Sequence, residues 1–192
     1  NASCTGEIVL ELIKEINGVV DQNIATALYT SLLFDTQSFK LLRNPVKIFN
    51  MAKELILAGA SHNLIHSILF DNWSINKMNY LSRLIHQVTY INNDTAIINI
   101  TKADLNEFSL NTDDVSDLVD LFMSVKSLKT SIVVREDAYN YFKLSFRSRS
   151  KEILSWARVF GGGGHLYSAG ALVNDSAENI LKKINVLIDT KK

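Results

Sequence analysis

Four consecutive glycines and a histidine, Gly161-Gly162-Gly163-Gly164-His165, are the residues of this sequence best suited to chemistry. Half of the eight glycines in the chain stand there, between a helical pattern and a strand pattern. Residues without a Cβ let successive backbone amides turn toward one point, and such concavities bind phosphate. His165 could add a hydrogen bond or a positive charge. The same run suits a flexible loop or an extended helix C-cap, and on local grounds that plainer reading leads. Upstream, Arg147 and Arg149 flank Ser148 at the end of a predicted strand, where alternation puts both arginines on one face. A guanidinium fork matches a phosphate in a bidentate way. Taken alone the pair suits a surface salt bridge; a glycine run in the same segment favours phosphate. Asp35, in Phe34-Asp35-Thr36-Gln37-Ser38-Phe39, could reach a metal ion, although most aspartates after a helix form turns. His62 and His66 share a helix face at metal-ligand spacing, but no third ligand accompanies them, and a solvated face is the better reading.

Helices and strands must position these groups. Apolar residues at helical spacing predict a helix over Glu7 to Ile16, closed by Asn17-Gly18, and a second from a cap at Asp21 to Asp35. Asn44-Pro45 starts a third, which stops at Gly59. Ser61 and Ser74 cap two more, the last reaching about His86. Beyond that the pattern turns to strands. Val88 to Ile91 and Ala96 to Ile100 read as a hairpin across Asn92-Asn93-Asp94, and Ser131 to Arg135 with Tyr141 to Arg147 read as a second strand pair. A helix from Asp113 to about Ser124 separates the two pairs. A short helix from Glu152 to Phe160, the glycine run, a strand near Ala169 to Val173 and a helix from Ser176 complete the chain. The change of character places a domain boundary between Asp71 and Lys77. The expected class is α/β: a helical part, then a small mixed α/β domain.

Composition narrows the function classes. The 192 residues are 47% hydrophobic and 21% charged, typical of a globular protein. No apolar run approaches the ~20 residues that a membrane helix needs, and nothing reads as a signal peptide. A lone cysteine, Cys4, makes no internal disulfide and suits the cytoplasm. Twenty basic residues balance twenty acidic ones, so the basic stripe of proteins that hold long nucleic acids is not indicated. A phosphorylated ligand is expected to be small. The chain opens at Asn1 without methionine, its first segment reads as the interior of something larger, and Asn1-Ala2 suit a tag remnant.

Three stretches, in order, resemble the DHH-family phosphoesterases with a C-terminal DHH-associated domain, in the branch of nano-RNases and pAp phosphatases. Ala27-Leu28-Tyr29-Thr30 followed by Asp35-Thr36-Gln37-Ser38-Phe39 is similar to that family's last metal-site motif, a helix leading to D-T-G-S-F. Lys143-Leu144-Ser145-Phe146-Arg147-Ser148 resembles the strand that presents its substrate-binding arginine. Gly161 to His165, continuing to Ala169-Gly170, resembles its G-G-G-H signature. The resemblance runs from about Ser3 to the end. It implies that residues 1–73 are the C-terminal part of a DHH domain and 74–192 the DHH-associated, substrate-binding domain. It also implies Asp35 as a manganese ligand, and Arg147, Ser148 and His165 as substrate contacts, with Gly162, Gly163 and Gly164 offering backbone amides.

The resemblance further implies a parent hydrolase in which two Mn2+ ions activate a hydroxide toward phosphorus, acting on short oligoribonucleotides or on the 3′-phosphate of pAp. Two departures qualify this. Gln37 stands where glycine is usual, so the turn at Asp35 is expected to run differently or to narrow the site. The early aspartates and the Asp-His-His triplet are absent from the sequence, so this chain alone is expected to be inactive and to retain no metal. Within the same chemistry a cyclic-dinucleotide phosphodiesterase is an alternative. From another class, a non-catalytic nucleotide- or RNA-binding module, such as the glycine-signature appendage of alanyl-tRNA synthetases, or a degenerate paralogue, also fits. The first helix is expected to leave apolar surface exposed, covered by a second copy of the chain as a homodimer.

Overall fold

The structure, a computed structural model, describes Ala2 and residues 4–189. Asn1 and Ser3 lie outside the described residues, and so does the reading of Asn1 as part of a tag. The chain divides into two compact units, Asn1–Trp73 and Ser74–Lys192, each described by itself. Among the described residues no helix is long and apolar enough to cross a membrane.

The first unit is helical: α1 (Thr5–Glu15), α2 (Gln22–Asp35), α3 (Pro45–Leu57) and α4 (His62–Phe70). Short polar side chains start two of them. Asp21 accepts from the Ile24 amide at 2.8 Å, and Asn44 accepts from Lys47 at 3.2 Å with Pro45 just inside. Ser61 makes no such bond at α4. Leu28, Tyr29, Leu32, Leu33, Ile48 and Leu55 form the core of the unit.

Left-handed residues end the first three helices. Asn17, Gln37 and Gly59 have φ of 51°, 50° and 104°. After each, the next amide bonds back to a carbonyl of the last turn: Gly18 to Ile13 at 2.8 Å, Ser38 to Leu33 at 2.8 Å and Ala60 to Leu55 at 3.0 Å. This is the Schellman closure, in which glycine carries no Cβ penalty and other residues do.

The second unit opens with α5 (Ile75–Gln87), capped by Ser74 onto the Lys77 amide. A six-stranded mixed sheet follows, in the order β1-β2-β3-β4-β6-β5. The strands are β1 (Thr89–Ile91), β2 (Thr95–Ile100), β3 (Thr130–Ala138), β4 (Tyr141–Ser148), β5 (Gly163–His165) and β6 (Ser168–Asn174). β1–β2 and β3–β4 are antiparallel pairs, and β2 meets β3 in parallel. A parallel pair needs a crossover, and residues 101–129 supply it with α6 (Lys102–Glu107) and α7 (Leu118–Phe122). α8 (Leu154–Val159) and α9 (Ala177–Asp189) complete the unit.

Alternation gives the sheet two unlike faces. Ile132, Val134, Phe142, Leu144, Phe146, Ala169, Ala171 and Val173 join Trp156, Phe160, Ile180 and Ile184 in a closed core with α8 and α9. On the other face, α6 and α7 pack on β3, and α7 also reaches β4. The β4, β6 and β5 end of that face is left open.

The predicted α/β class is the observed one, and the two strand pairs stand where alternation places them. The helix expected from Asp113 to Ser124 shortens to α7. Asn111 Oδ1 accepts from the amides of Asp113 and Asp114, and Asp114 accepts from Asn111, so side chains hold that stretch in turns.

Candidate functional site

The open end of the sheet is a groove of about 720 Å³. The rows of this sheet face can be read from the register. Ser131, Arg147, Ser168 and His165 lie in one transverse row, Val133, Ser145, Gly170 and Gly163 in the next, and Arg135, Lys143 and Leu172 in a third. Laterally paired residues share a face. The first row is polar and cationic. The middle row is nearly flat over β4, β6 and β5, because Ser145, Gly170 and Gly163 rise little above the backbone. Ser116 and Asp137 help to line the groove, as do Gly161 to Gly164.

Arg147 reaches this face from β4. Its Nε donates to Asp120 Oδ1 at 2.8 Å, and its Nη1 donates to the Phe146 carbonyl at 3.2 Å. Both partners of the ion pair are partly exposed, so the pair is worth under ~1 kcal/mol and leaves the guanidinium open to a stronger anion. Arg149 donates to the carbonyls of Met123 and Val125, just past α7. Arg147 thus reaches α7 itself, whereas Arg149, one residue past the end of β4, reaches the segment that follows α7. His165, on edge strand β5, is exposed, and its side chain makes no hydrogen bond or ion pair among the described residues. Two strand spacings, ~10 Å, separate its backbone from that of Arg147. One phosphate group between the two side chains fits that span.

The glycines divide by role. Gly161 has φ of 73° and donates to Arg158 at 3.0 Å, and Gly162 donates to Ala157 at 2.9 Å. These two amides close α8 in the same Schellman pattern. The expectation that Gly162 offers its amide to a ligand is corrected on that account, since its N–H is already bonded to the helix. Gly162 has no Cβ for another reason: one would lie 2.6 Å from Ala171 Cβ and overlap the Gly170 carbonyl. Gly163 and Gly164 are neighbours on an edge strand, where alternate N–H groups face away from the sheet, so one of the two amides remains a candidate. A Cβ on Gly163 would meet nothing within 4 Å.

Ser148 is not brought to the groove. One residue past Arg147, it points to the opposite face, is buried, and accepts from the Ser150 and Lys151 amides at 3.3 and 2.8 Å. Its role is to hold the turn out of β4. Lys143, Ser145 and Gly170 were not singled out from the sequence as site residues. Counting back by two from Arg147, and forward by one from Ala169, would have found them.

In the first unit, Asp35 is the exposed last residue of α2, with Ser31 Oγ at 3.4 Å. Gln37 carries the left-handed position that glycine would hold, and Ser38 and Phe39 follow with φ of 55° and 66°. Among the described residues no group of three or more His, Cys, Asp or Glu side chains could hold a metal ion. The donor set around Asp35 therefore does not fit a two-metal centre. His62 Nδ1 lies 3.0 Å from the Tyr29 hydroxyl, and His66 Nδ1 lies 3.4 Å from Asp71, so each histidine has a partner within the helices.

No family model matches the chain. The chain is 30% identical over 181 residues to the cyclic-di-AMP phosphodiesterase GdpP of Geobacillus thermodenitrificans, covering 91% of this chain and 26% of that protein. It is 23% identical over 192 residues to the "Probable bifunctional oligoribonuclease and PAP phosphatase NrnA" of Streptococcus mutans, covering 93% of this chain and 57% of that one. A crystal structure of an exopolyphosphatase-related protein from Bacteroides fragilis superposes with a TM-score of 0.90 at 24% identity, over 98% of this chain and 57% of the other. The chain spans little more than half the length of most curated relatives it matches. Relatives over nine-tenths of the chain, the shared fold and the ordered motifs together make the chain similar to the portion of DHH-family phosphoesterases that carries the DHH-associated domain.

Proposed function

We propose that the second unit, as a DHH-associated domain, holds the phosphate groups of a short oligoribonucleotide or of pAp for a phosphoesterase. The open sheet face carries this reading: one transverse row joins Arg147 to His165, whose side chain has no partner among the described residues, and the groove beside it is lined by Arg147 and the glycine segment. Arg147 offers a fork to one phosphate, His165 approaches from the far side, and β5 supplies an N–H group between. Fixing the phosphate fixes the scissile bond relative to the reacting groups, which is a large part of phosphoryl-transfer catalysis.

Hydrolysis in the whole protein is proposed to use two Mn2+ ions, with Asp35 as one ligand. The remaining ligands are not supplied by this chain, which is proposed to bind without cleaving. Balanced charge supports a small ligand over long nucleic acid, and the free, buried Cys4 suits a cytoplasmic setting. Calorimetric titration with pAp and with a diribonucleotide tests the grip. Binding by the wild type should weaken at least tenfold in Arg147→Ala/His165→Ala. Equal titration of both chains would overturn the reading. The likeness to GdpP favours cyclic di-AMP as a second ligand class, and it belongs in the same titration.

A further inference from the structure

A second cation stands at the opposite end of the groove, where the proposed phosphate grip does not use it. Lys143 lies on β4 four residues before Arg147 and on the same face. At ~3.3 Å per residue their backbones are ~13 Å apart along the strand. Lys143 is exposed, and its side chain makes no hydrogen bond or ion pair among the described residues. The other cation in its row is already held: Arg135 is buried, donates to Asp137 at 2.6 and 3.1 Å, and donates to the Thr112 carbonyl at 2.8 Å. These bonds hold the Asp137 carboxylate on Arg135, so Lys143 is the cation of this row free to meet a ligand.

Between the two cations the floor consists of Ser145, Gly170 and Gly163, with Leu172 exposed beside Lys143. Gly170 is held without a side chain by the close approach of β4, since a Cβ there would lie 2.8 Å from the Leu144 carbonyl oxygen. A flat stretch bounded at each end by a positive group fits a ribose or base lying between phosphates. An apolar side chain beside the distal cation gives such a ring something to rest against.

We infer that Lys143 is a second anion grip that makes the groove select ligands by length, favouring oligonucleotides whose phosphates reach both ends over mononucleotides that fill only the Arg147 end. The inference rests on the phosphate-grip reading above and adds to it a residue that sets the preferred substrate class. A lysine is suited to this distal role, because a mobile point charge tolerates variation in where the farther phosphate falls.

The test is fluorescence-detected titration of the whole chain with AMP and with the 5′-phosphorylated triribonucleotide pApApA. Wild type is compared with Lys143→Ala, Lys143→Arg and Arg147→Ala. In the wild type the trimer should bind at least tenfold tighter than AMP. Lys143→Ala should reduce that ratio about tenfold, and Lys143→Arg should restore it. One phosphate contact fewer should also flatten the salt dependence of trimer binding by ~0.7 in log Kd per log salt. A ratio and a salt slope unchanged in Lys143→Ala, with Arg147→Ala still abolishing binding, would overturn the length-selecting role and leave the phosphate grip standing. If the wild type binds neither ligand, the grip itself fails and this inference fails with it.

Discussion

Adjacent glycines in this segment should respond oppositely to alanine. A Cβ on Gly162 would sit 2.6 Å from Ala171 Cβ and overlap the Gly170 carbonyl, both in β6. Neither obstacle is the free end of a side chain, so relief requires the α8–β5 connection to lift off the sheet. Over-packing of a rigid site costs ~1–3 kcal/mol, and a backbone obstacle puts Gly162→Ala at ~3 kcal/mol or above. With a urea slope of ~1.5 kcal/mol/M for a domain of this size, the midpoint should fall by ~2 M. Gly163, one residue on, has nothing within 4 Å of its would-be Cβ, and alanine there should stay within ~0.5 kcal/mol of wild type. Trp156 is 1% exposed in the core of this unit, so its fluorescence in a Trp73→Phe background reports urea unfolding of the second unit. Gly163→Ala should instead weaken pAp binding at least threefold, because its methyl group would rise from the groove floor. A Gly162→Ala midpoint equal to that of Gly163→Ala would refute the steric account.

Four further outcomes follow from the structure. Gln37→Gly should stabilise the first unit by ~1 kcal/mol, because it removes a Cβ from a residue at φ 50°; chemical denaturation followed by far-ultraviolet circular dichroism reads this, and a loss of stability would contradict it. Asp120→Asn removes the carboxylate that holds Arg147 and should tighten pAp binding severalfold at a stability cost under ~1 kcal/mol; unchanged or weaker calorimetric affinity would count against Arg147 as the phosphate contact. Asp175 is pulled down to about 2 by hydrogen bonds from Asn179, Lys183 and the Ser176 amide. A depressed folded pKa stabilises above the unfolded value and is lost as pH falls through the folded one. The stability gap between wild type and Asp175→Asn should therefore be full at pH 5 and shrink between about pH 4 and pH 2; a gap unaltered at pH 2.5 would contradict the assignment. Ile8 and Leu12 on α1 and Ile16 at its C-cap recur every four residues at 57%, 56% and 68% exposure. Ile8→Gln/Leu12→Gln should leave helicity unchanged and reduce the self-association seen by sedimentation velocity, whereas a strictly monomeric wild type would remove the case for a homodimer.

What the sequence made legible was local. Caps at Asp21, Asn44 and Ser74 are each decided within four residues, and each is where it was read. The hairpin turn at Asn92-Asn93 was legible for the same reason, both residues being left-handed at φ of 51° and 57°. The parallel pairing of β2 with β3 was not, because the partners are separated by residues 101–129 and no local turn announces their meeting. α6 is too short for an apolar period to show, and its one local signal is a capping box: Thr101 accepts from the Asp104 amide, and Asp104 accepts from that of Thr101. β5 carries no strand signal, because glycine is poor in strands, and only pairing with β6 makes it one. Alternation puts Arg147 on the open face of the sheet. The same rule, one residue further, sends Ser148 to the opposite face.

The turn after α2 shows what can outlast a motif. The amides from Thr36 to Leu41 all donate hydrogen bonds, three of them to carbonyls of α2 and three within the turn itself. Thr36 is fully buried, and its hydroxyl both donates to Leu32 and accepts from Phe39. A chain held at so many points has one path available, so glutamine follows it at position 37 where the resemblance would expect glycine. The backbone there curves through a left-handed residue without glycine, so the curve and the letter most often used to write it are separable. A comparison keyed to the glycine would pass over this loop. One keyed to the left-handed turn and the buried threonine before it would recognise the loop at once.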